Sequence, residues 1–268
     1  SVGGMIMAPL LSYIILDFGW RNGAIFAGLI ILIVALPSAL PMKRSPEAMG
    51  LYPDGQPPPK NPIQELNPAP QEVFEVNFTV REALRALPFW LLTAGISLRL
   101  LVTVALNTHF VPILVWKGMS EAASAYLVSV SALGSIIASL AFGWLGDRWN
   151  KALLSSLCIV PTIIAMLGLV FSQETNVLYF FPIGFAITMG TAPLNWALIG
   201  DFFGRGSYAT IRGIMGIGYG TATFLSPIYA GWIFDRTESY TLVLITFAII
   251  LLIASTFFAI LRHPSPPQ

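Results

Sequence analysis

The chain has 268 residues, of which 56% are apolar and 10% charged, against about 45–50% and about 25% in soluble domains. A formal net charge of +1 offers nothing to a polyanion such as nucleic acid. The single Cys158 lies in an apolar run and has no internal disulfide partner, and the two histidines, His109 and His263, make no zinc or haem site, so neither metal nor cofactor is expected.

Taken in chain order, apolar runs of about membrane length predict eight helical spans, near 2–17, 20–42, 86–115, 122–145, 152–172, 177–200, 211–234 and 240–261. The first two are joined only by D-F-G-W-R and should form a tight helical hairpin. The chain opens S-V-G-G-M inside its first apolar run, with no initiator Met or flanking charge, and is read as lacking its front. Residues 43–83 are the one long polar stretch; P-P-P at 57–59 and prolines at 46, 53, 62, 68 and 70 predict an extended, mobile tether. At its end, T-V-R-E places Thr79 and Glu82 for a capping box on a short helix running to Leu87, with Pro88 opening the next span. The fold class expected is all-α, a polytopic membrane protein. Its segments are two helices in 1–42, a linker at 43–83, a six-helix bundle at 84–262 and a tail at 263–268.

Basic residues set the orientation. With both ends in the cytoplasm, the inner segments hold Lys43, Arg44, Lys60, Arg81, Arg85, Arg148, Lys151, Arg205, Arg212 and Arg262. The outer loops hold Arg21, Lys117 and Arg236, so ten face three, a positive-inside bias. This predicts a multi-pass protein of the cell membrane with a cytoplasmic linker and C-terminus. The N-F-T at 77–79, a glycosylation pattern, is idle on that side.

Two segments echo each other. P-L-L-S-Y-I-I-L-D, from Pro9 to Asp17, and P-I-Y-A-G-W-I-F-D, from Pro227 to Asp235, share proline, an aliphatic, isoleucine and aspartate in register. Corresponding proline bends in two halves are what a repeat-built transporter predicts.

Between Gly143 and Lys151 the chain reads G-W-L-G-D-R-W-N-K, a short charged hinge directly after a span. It resembles the signature between paired helices of the major facilitator superfamily. G-W-R at 19–21, P-E-A-M-G-L-Y-P-D-G at 46–55, R-E-A-L-R-A-L-P-F-W at 81–90 and D-F-F-G-R-G-S-Y-A-T-I-R-G at 201–213 resemble its oxalate/formate-antiporter and monocarboxylate-porter branch. The resemblance implies helices five to twelve of a twelve-helix facilitator fold, with helices one to four of the same protein as the missing partner. It also implies that Asp147 holds the opposite bundle closed at a helix N-terminus near Ser1 to Gly4. Arg148, Lys151, Asp201, Arg205 and Arg212 lie on the same side and either join that latch or form a solvated basic loop. One departure stands out: the middles of 122–145 and 211–234 carry no basic residue, against the pattern of oxalate-type exchangers.

Arg99 lies eleven residues past Pro88, about 16 Å into the membrane at 1.5 Å per residue. A guanidinium there needs a wet cavity or a partner, and no Asp or Glu lies mid-span in this chain. Either a bound carboxylate meets it, or it pairs with an acid on a missing helix or with carbonyls freed at a helix break. Thr103 and Asn107 continue its stripe at steps of four. A second stripe runs Gly184, Thr188, Thr191, Asn195 beside Pro193, either lining a cavity or packing and bonding between helices. Trp196 beside it either closes over a substrate or packs. His109 is either a proton relay or an interfacial group bonded to water or a carbonyl. The glycines at 213, 216, 218 and 220 and Ser131, Ser135 and Ser139 read as close-packing surfaces, with no strand or lysine-serine pair for a nucleotide.

The function expected is secondary transport of small organic solutes, monocarboxylate-like anions first, by alternating access as a symporter or antiporter. The bilayer and the substrate are its partners. Neutral or cationic solutes, with Arg99 structural, are the rival within transport, and a transport-dead sensor or assembly protein is the rival class. An enzyme is not expected, since the spans hold no paired acids and no serine-histidine or histidine-aspartate pair.

Overall fold

The computed structural model describes residues 10–42 apart from 12 and 16, residues 77–172 and residues 175–264. The chain divides into two compact units, residues 1–74 and 75–268. Most of the 2–17 span, the polar stretch to residue 76 and the helix start near Ser1 to Gly4 lie outside the described residues.

In the first unit, helix α1 (Trp20–Ala39) follows a turn at Gly19, whose φ of 82° suits only glycine well. Gly23 sits against Ile15, where a Cβ would lie 2.6 Å from Cγ1. Within its unit α1 is exposed on nearly all sides although it is apolar all round. Such a helix is at home in lipid and not in water.

The second unit is built of α2 (Val80–Arg85), α3 (Leu87–Thr108), α4 (Phe110–Trp116), α5 (Glu121–Gly146), α6 (Lys151–Phe171), α7 (Thr175–Met189), α8 (Ala192–Phe203), α9 (Tyr208–Thr237) and α10 (Thr241–Ile260). The capping box forms: Thr79 N–H donates to Glu82 Oε2 at 2.8 Å and Glu82 N–H to Thr79 Oγ1 at 3.4 Å. Hydrogen bonding to the carboxyl, from the Thr79 amide first and then from its side chain, holds Glu82 below its usual range. The short helix ends at Arg85 and not at Leu87, because Ala86 turns extended (ψ 128°) so that Pro88 can sit in the first turn of α3.

Proline also explains two breaks in runs that periodicity alone read as single spans. The 86–115 run divides at His109, since Pro112 has no N–H for the Thr108 carbonyl. The 177–200 run divides at Gly190–Thr191, just before Pro193, into α7 and α8. Capping side chains restart the others: Ser120 accepts from Ala123 N–H at the head of α5, and Asn150 Oδ1 accepts from Ala152 and Leu153 at the head of α6.

Six stretches among the described residues are long and apolar enough to cross a bilayer: Trp20–Ala39, Leu87–Thr108, Glu121–Gly146, Lys151–Phe171, Asn176–Phe203 and Thr241–Ile260. Helix α9, with 30 residues, has the length, but its glycines, threonines, tyrosines and Pro227 dilute its apolarity. In the second unit α3 packs on α9 and α10, α6 on α10 and α7, and α5 on α7. Phe89, Phe110, Phe181, Phe203, Phe247 and Phe258 fill the core between them. Large apolar side chains such as Ile137, Leu140, Leu157, Ile164 and Leu252 point outward, the reverse of a water-soluble bundle. No strand occurs among the described residues.

Close approach of backbones is real at Gly184, where a Cβ would meet the Pro161 carbonyl oxygen at 2.7 Å, and at Gly190 against Ala138. In the glycine run of α9 only Gly218 faces another helix, at Ser97 and Thr93 of α3, whereas Gly213 and Gly220 face open space. Of the α5 serines, Ser131 is buried, and the Ser135 and Ser139 hydroxyls donate to carbonyls of their own helix.

Candidate substrate site

Arg99 sits halfway along α3 and is 1% exposed, the largest fully buried side chain among the described residues. Its Nη1 donates to the Thr188 carbonyl at 3.2 Å, in the last turn of α7. With the Asn195 amide oxygen turned toward the guanidinium, Nε and Nη2 donate to it at 2.9 and 3.1 Å. The opposite orientation would set an NH2 group against a side chain that can only donate. Three of five N–H donors thus hold Arg99 across the α7–α8 break, leaving one each on Nη1 and Nη2.

The break itself is tied together by hydroxyls. Thr188 Oγ1 donates to the Cys158 carbonyl (2.9 Å) and so accepts, at 2.6 Å, from Thr162, whose hydroxyl also has the Gly184 carbonyl within 2.7 Å. Thr191 Oγ1 donates to the Thr188 carbonyl at 2.7 Å, and Thr103 Oγ1 donates back to Arg99 O. Five of the six residues expected at a substrate site therefore converge, buried, around one point: Arg99, Thr103, Thr188, Thr191 and Asn195. Asn107 stands apart, exposed two turns along α3. A cavity of about 170 Å³ joins it to the cluster, walled by Arg99, Thr103 and Asn107 and by Leu100, Val104 and Met189. Thr162 was not singled out from the sequence, although a threonine directly after Pro161 inside an apolar span was a usable signal.

The Major Facilitator Superfamily model matches residues 1–211 and again residues 102–268. The chain belongs to the Major Facilitator Superfamily. It is a multi-pass membrane protein of that family. Curated relatives are monocarboxylate transporter 12 of Mus musculus, 23% identical over 262 residues, and monocarboxylate transporter 11 of the same species, 24% identical over 251. Monocarboxylate transporter 12-B of Danio rerio is 24% identical over 265 residues. Each match covers 90% of this chain but 53%, 52% and 54% of the relative, so the chain spans about half the length of the curated relatives it matches.

The residues expected to gate this facilitator scatter over one end of the bundle. Lys151 Nζ and Asp201 Oδ2 form an ion pair at 2.8 Å, tying the start of α6 to the end of α8. Arg148 folds back on α5, its guanidinium 3.9 Å from the Trp144 ring centre and its Nη1 on the Trp144 carbonyl. Arg212 stacks at 4.3 Å over Trp196, which also meets Tyr219 edge-on. The Arg205 and Gly206 amides both donate to Asn77 Oδ1, fastening the loop after α8 to the start of the bundle. Asp147 is exposed at the end of α5. The segment near Ser1 to Gly4 expected to meet it lies outside the described residues.

At the other end, His109 bonds a carbonyl and a hydroxyl. Its Nε2–H donates to the Pro227 carbonyl at 3.1 Å, and Nδ1 lies 3.0 Å from Tyr240 Oη, joining α3, α9 and the head of α10. A neutral ring satisfies both contacts, with the tyrosine donating.

Proposed function

We propose that the protein is a secondary transporter of small organic solutes, most suited to monocarboxylate-like anions, working by alternating access. One observation carries this reading. Arg99 is a full charge buried at mid-span, bonded among the described residues only to neutral acceptors, beside a cavity several times the roughly 30 Å³ share of one water. Among the described residues the ion pair is Lys151–Asp201, at the end of the bundle, and none compensates Arg99. A carboxylate would complete the two remaining donors and neutralise the charge. The names of the curated relatives point the same way.

In this reading Arg99, Thr103 and Asn107 face the solute, while Thr188, Thr191 and Asn195 hold Arg99 in place. Asp147, Arg148, Lys151, Asp201, Arg205 and Arg212 form the gate, helped by the turn of α5 into α6. Segments 1–42 and 84–262 belong to two bundles joined by the 43–83 linker. The linker and the 263–268 tail lie in the cytoplasm of a protein of the cell membrane. In this reading helices one to four of the twelve-helix fold supply the rest of the cavity and any proton-coupling carboxylate.

The rival reading, a carrier of neutral or cationic solutes, is favoured by the three bonds Arg99 makes within its own bundle. Uptake into vesicles bearing the full-length protein separates them. Arg99→Lys should raise the KM for an anion, since lysine cannot offer parallel donors, and Arg99→Ala should abolish saturable uptake with the protein still at the membrane. Normal uptake by Arg99→Ala would move the neutral-or-cationic reading ahead. No solute-dependent flux at all would favour a sensor.

A further inference from the structure

Far from Arg99, a second pocket of about 370 Å³ opens where the start of α6 meets the ends of α8 and α10. Its polar wall holds Asn150, Lys151, Asp201, Arg262 and His263, and its apolar wall includes Trp149, Leu198, Phe202 and Leu261. Asn150 is engaged in capping α6, and Asp201 is already paired with Lys151. His263 lies tilted against Phe202, with ring centres 4.4 Å apart and the planes at 41°. Arg262 follows the last turn of α10, is exposed, and has no acidic partner among the described residues. Counting Lys151 and Arg262 against Asp201, the lining carries one net positive charge.

The surroundings decide what kind of anion fits. Away from the pocket, α6 turns Leu153, Leu157 and Ile164 outward and α10 turns Ile249, Leu252 and Ile260 outward, an apolar flank leading from it on both helices. Trp149 at the rim is 62% exposed, as expected of a tryptophan at a membrane–water interface. A cationic pocket with one half-apolar wall, at the polar end of membrane helices, matches a ligand with an anionic head and an apolar body.

We propose that this pocket binds the phosphate of an anionic glycerophospholipid, with Lys151 and Arg262 as its cationic contacts and Trp149, Phe202 and Leu261 against the glycerol backbone and first methylenes. The phosphate shares Lys151 with Asp201, so an occupied pocket ties the α6–α8 corner to the α10 end. The inference stands apart from the solute site and does not depend on what is transported.

The test uses the full-length protein in nonionic detergent, with thermal stability and native mass spectrometry as readouts. Dioleoylphosphatidylglycerol should bind and stabilise in preference to dioleoylphosphatidylcholine. Arg262→Gln, an exposed change beyond the last helical turn, should weaken that preference about five-fold, the worth of one basic residue at an anionic surface. Arg81→Gln, an equal loss of charge on α2, should leave the preference in place. Glycerol 3-phosphate at millimolar concentration should neither stabilise the protein nor displace the lipid. Equal binding of the two lipids, or an equal effect of Arg81→Gln and Arg262→Gln, would overturn the site. Stabilisation by glycerol 3-phosphate alone would overturn the lipid as its occupant.

Discussion

Asn195 accepts two hydrogen bonds from Arg99, on Nε and Nη2, through a single amide oxygen. The two residues lie on separate elements, α3 and α8, and the Thr188 carbonyl of α7 takes a third bond from the same guanidinium. One buried arginine thus spans a helix break that proline imposes. A neutral acceptor there fixes the direction of the guanidinium without cancelling its charge.

Asn195→Asp should cancel it. The resulting buried ion pair would keep Arg99 in place but leave no net charge for a carboxylate solute. Saturable anion uptake should fall to background with the protein at normal levels in the membrane. Asn195→Leu should instead cost about 2 kcal/mol of stability, because two charged N–H donors lose their acceptor. Uptake assays alongside thermal unfolding in detergent distinguish the two; unimpaired uptake by Asn195→Asp would count against an anion at Arg99.

Thr162→Val removes a hydroxyl that bridges Thr188 Oγ1 and the Gly184 carbonyl at 2.6 and 2.7 Å. Side-chain hydrogen bonds between membrane helices contribute about 0.6 kcal/mol on average and about 1.7 at most. The one proton of this hydroxyl is shared between those two acceptors, so a loss of about 1 kcal/mol is expected, read as a lower unfolding midpoint. The KM should stay close to wild type, because Thr162 is not among the residues walling the cavity. A many-fold change in KM at unaltered stability would move Thr162 into the solute site.

Asp147→Asn should alter gating more than folding. Asp147 is exposed at the end of α5, and among the described residues no hydrogen bond or ion pair uses its carboxylate. Expression and thermal stability should match wild type while transport falls and thiol probes of an inward-facing cavity react faster. Failure of the variant to reach the membrane would make Asp147 a folding determinant.

Glu82 gives a pH signature outside the membrane. Its carboxyl is held below the usual range by the Thr79 amide and hydroxyl, so the charged form is favoured in the folded state. The stability it contributes is present above the ordinary glutamate value of about 4.3 and is lost as pH falls through the depressed folded value. Glu82→Ala should therefore lower the unfolding midpoint at neutral pH, and the difference from wild type should shrink in acid. A difference that persists unchanged in acid would show that the cap acts without the carboxylate.

How much was legible in the sequence follows from the range of each interaction. Helical spans, the Thr79–Glu82 cap, the proline that opens α3 and the depth of Arg99 are set by residue type and by spacing within a few positions. So is the charged hinge at 143–151, on which membership of the family was read. The breaks at His109 and at Gly190–Thr191 were within reach, since Pro112 and Pro193 mark them, but apolar periodicity runs straight through both. What Arg99 bonds to is another matter. Thr188 and Asn195 lie 89 and 96 positions away, and only the packing of α3 across the α7–α8 break chooses them from among the polar residues at that depth. The same holds for Lys151 finding Asp201, for Arg212 finding the Trp196 ring and for His109 finding Pro227 and Tyr240. Each long polar side chain has several candidate partners in sequence, and the burial that makes one partner decisive exists only once the helices have packed.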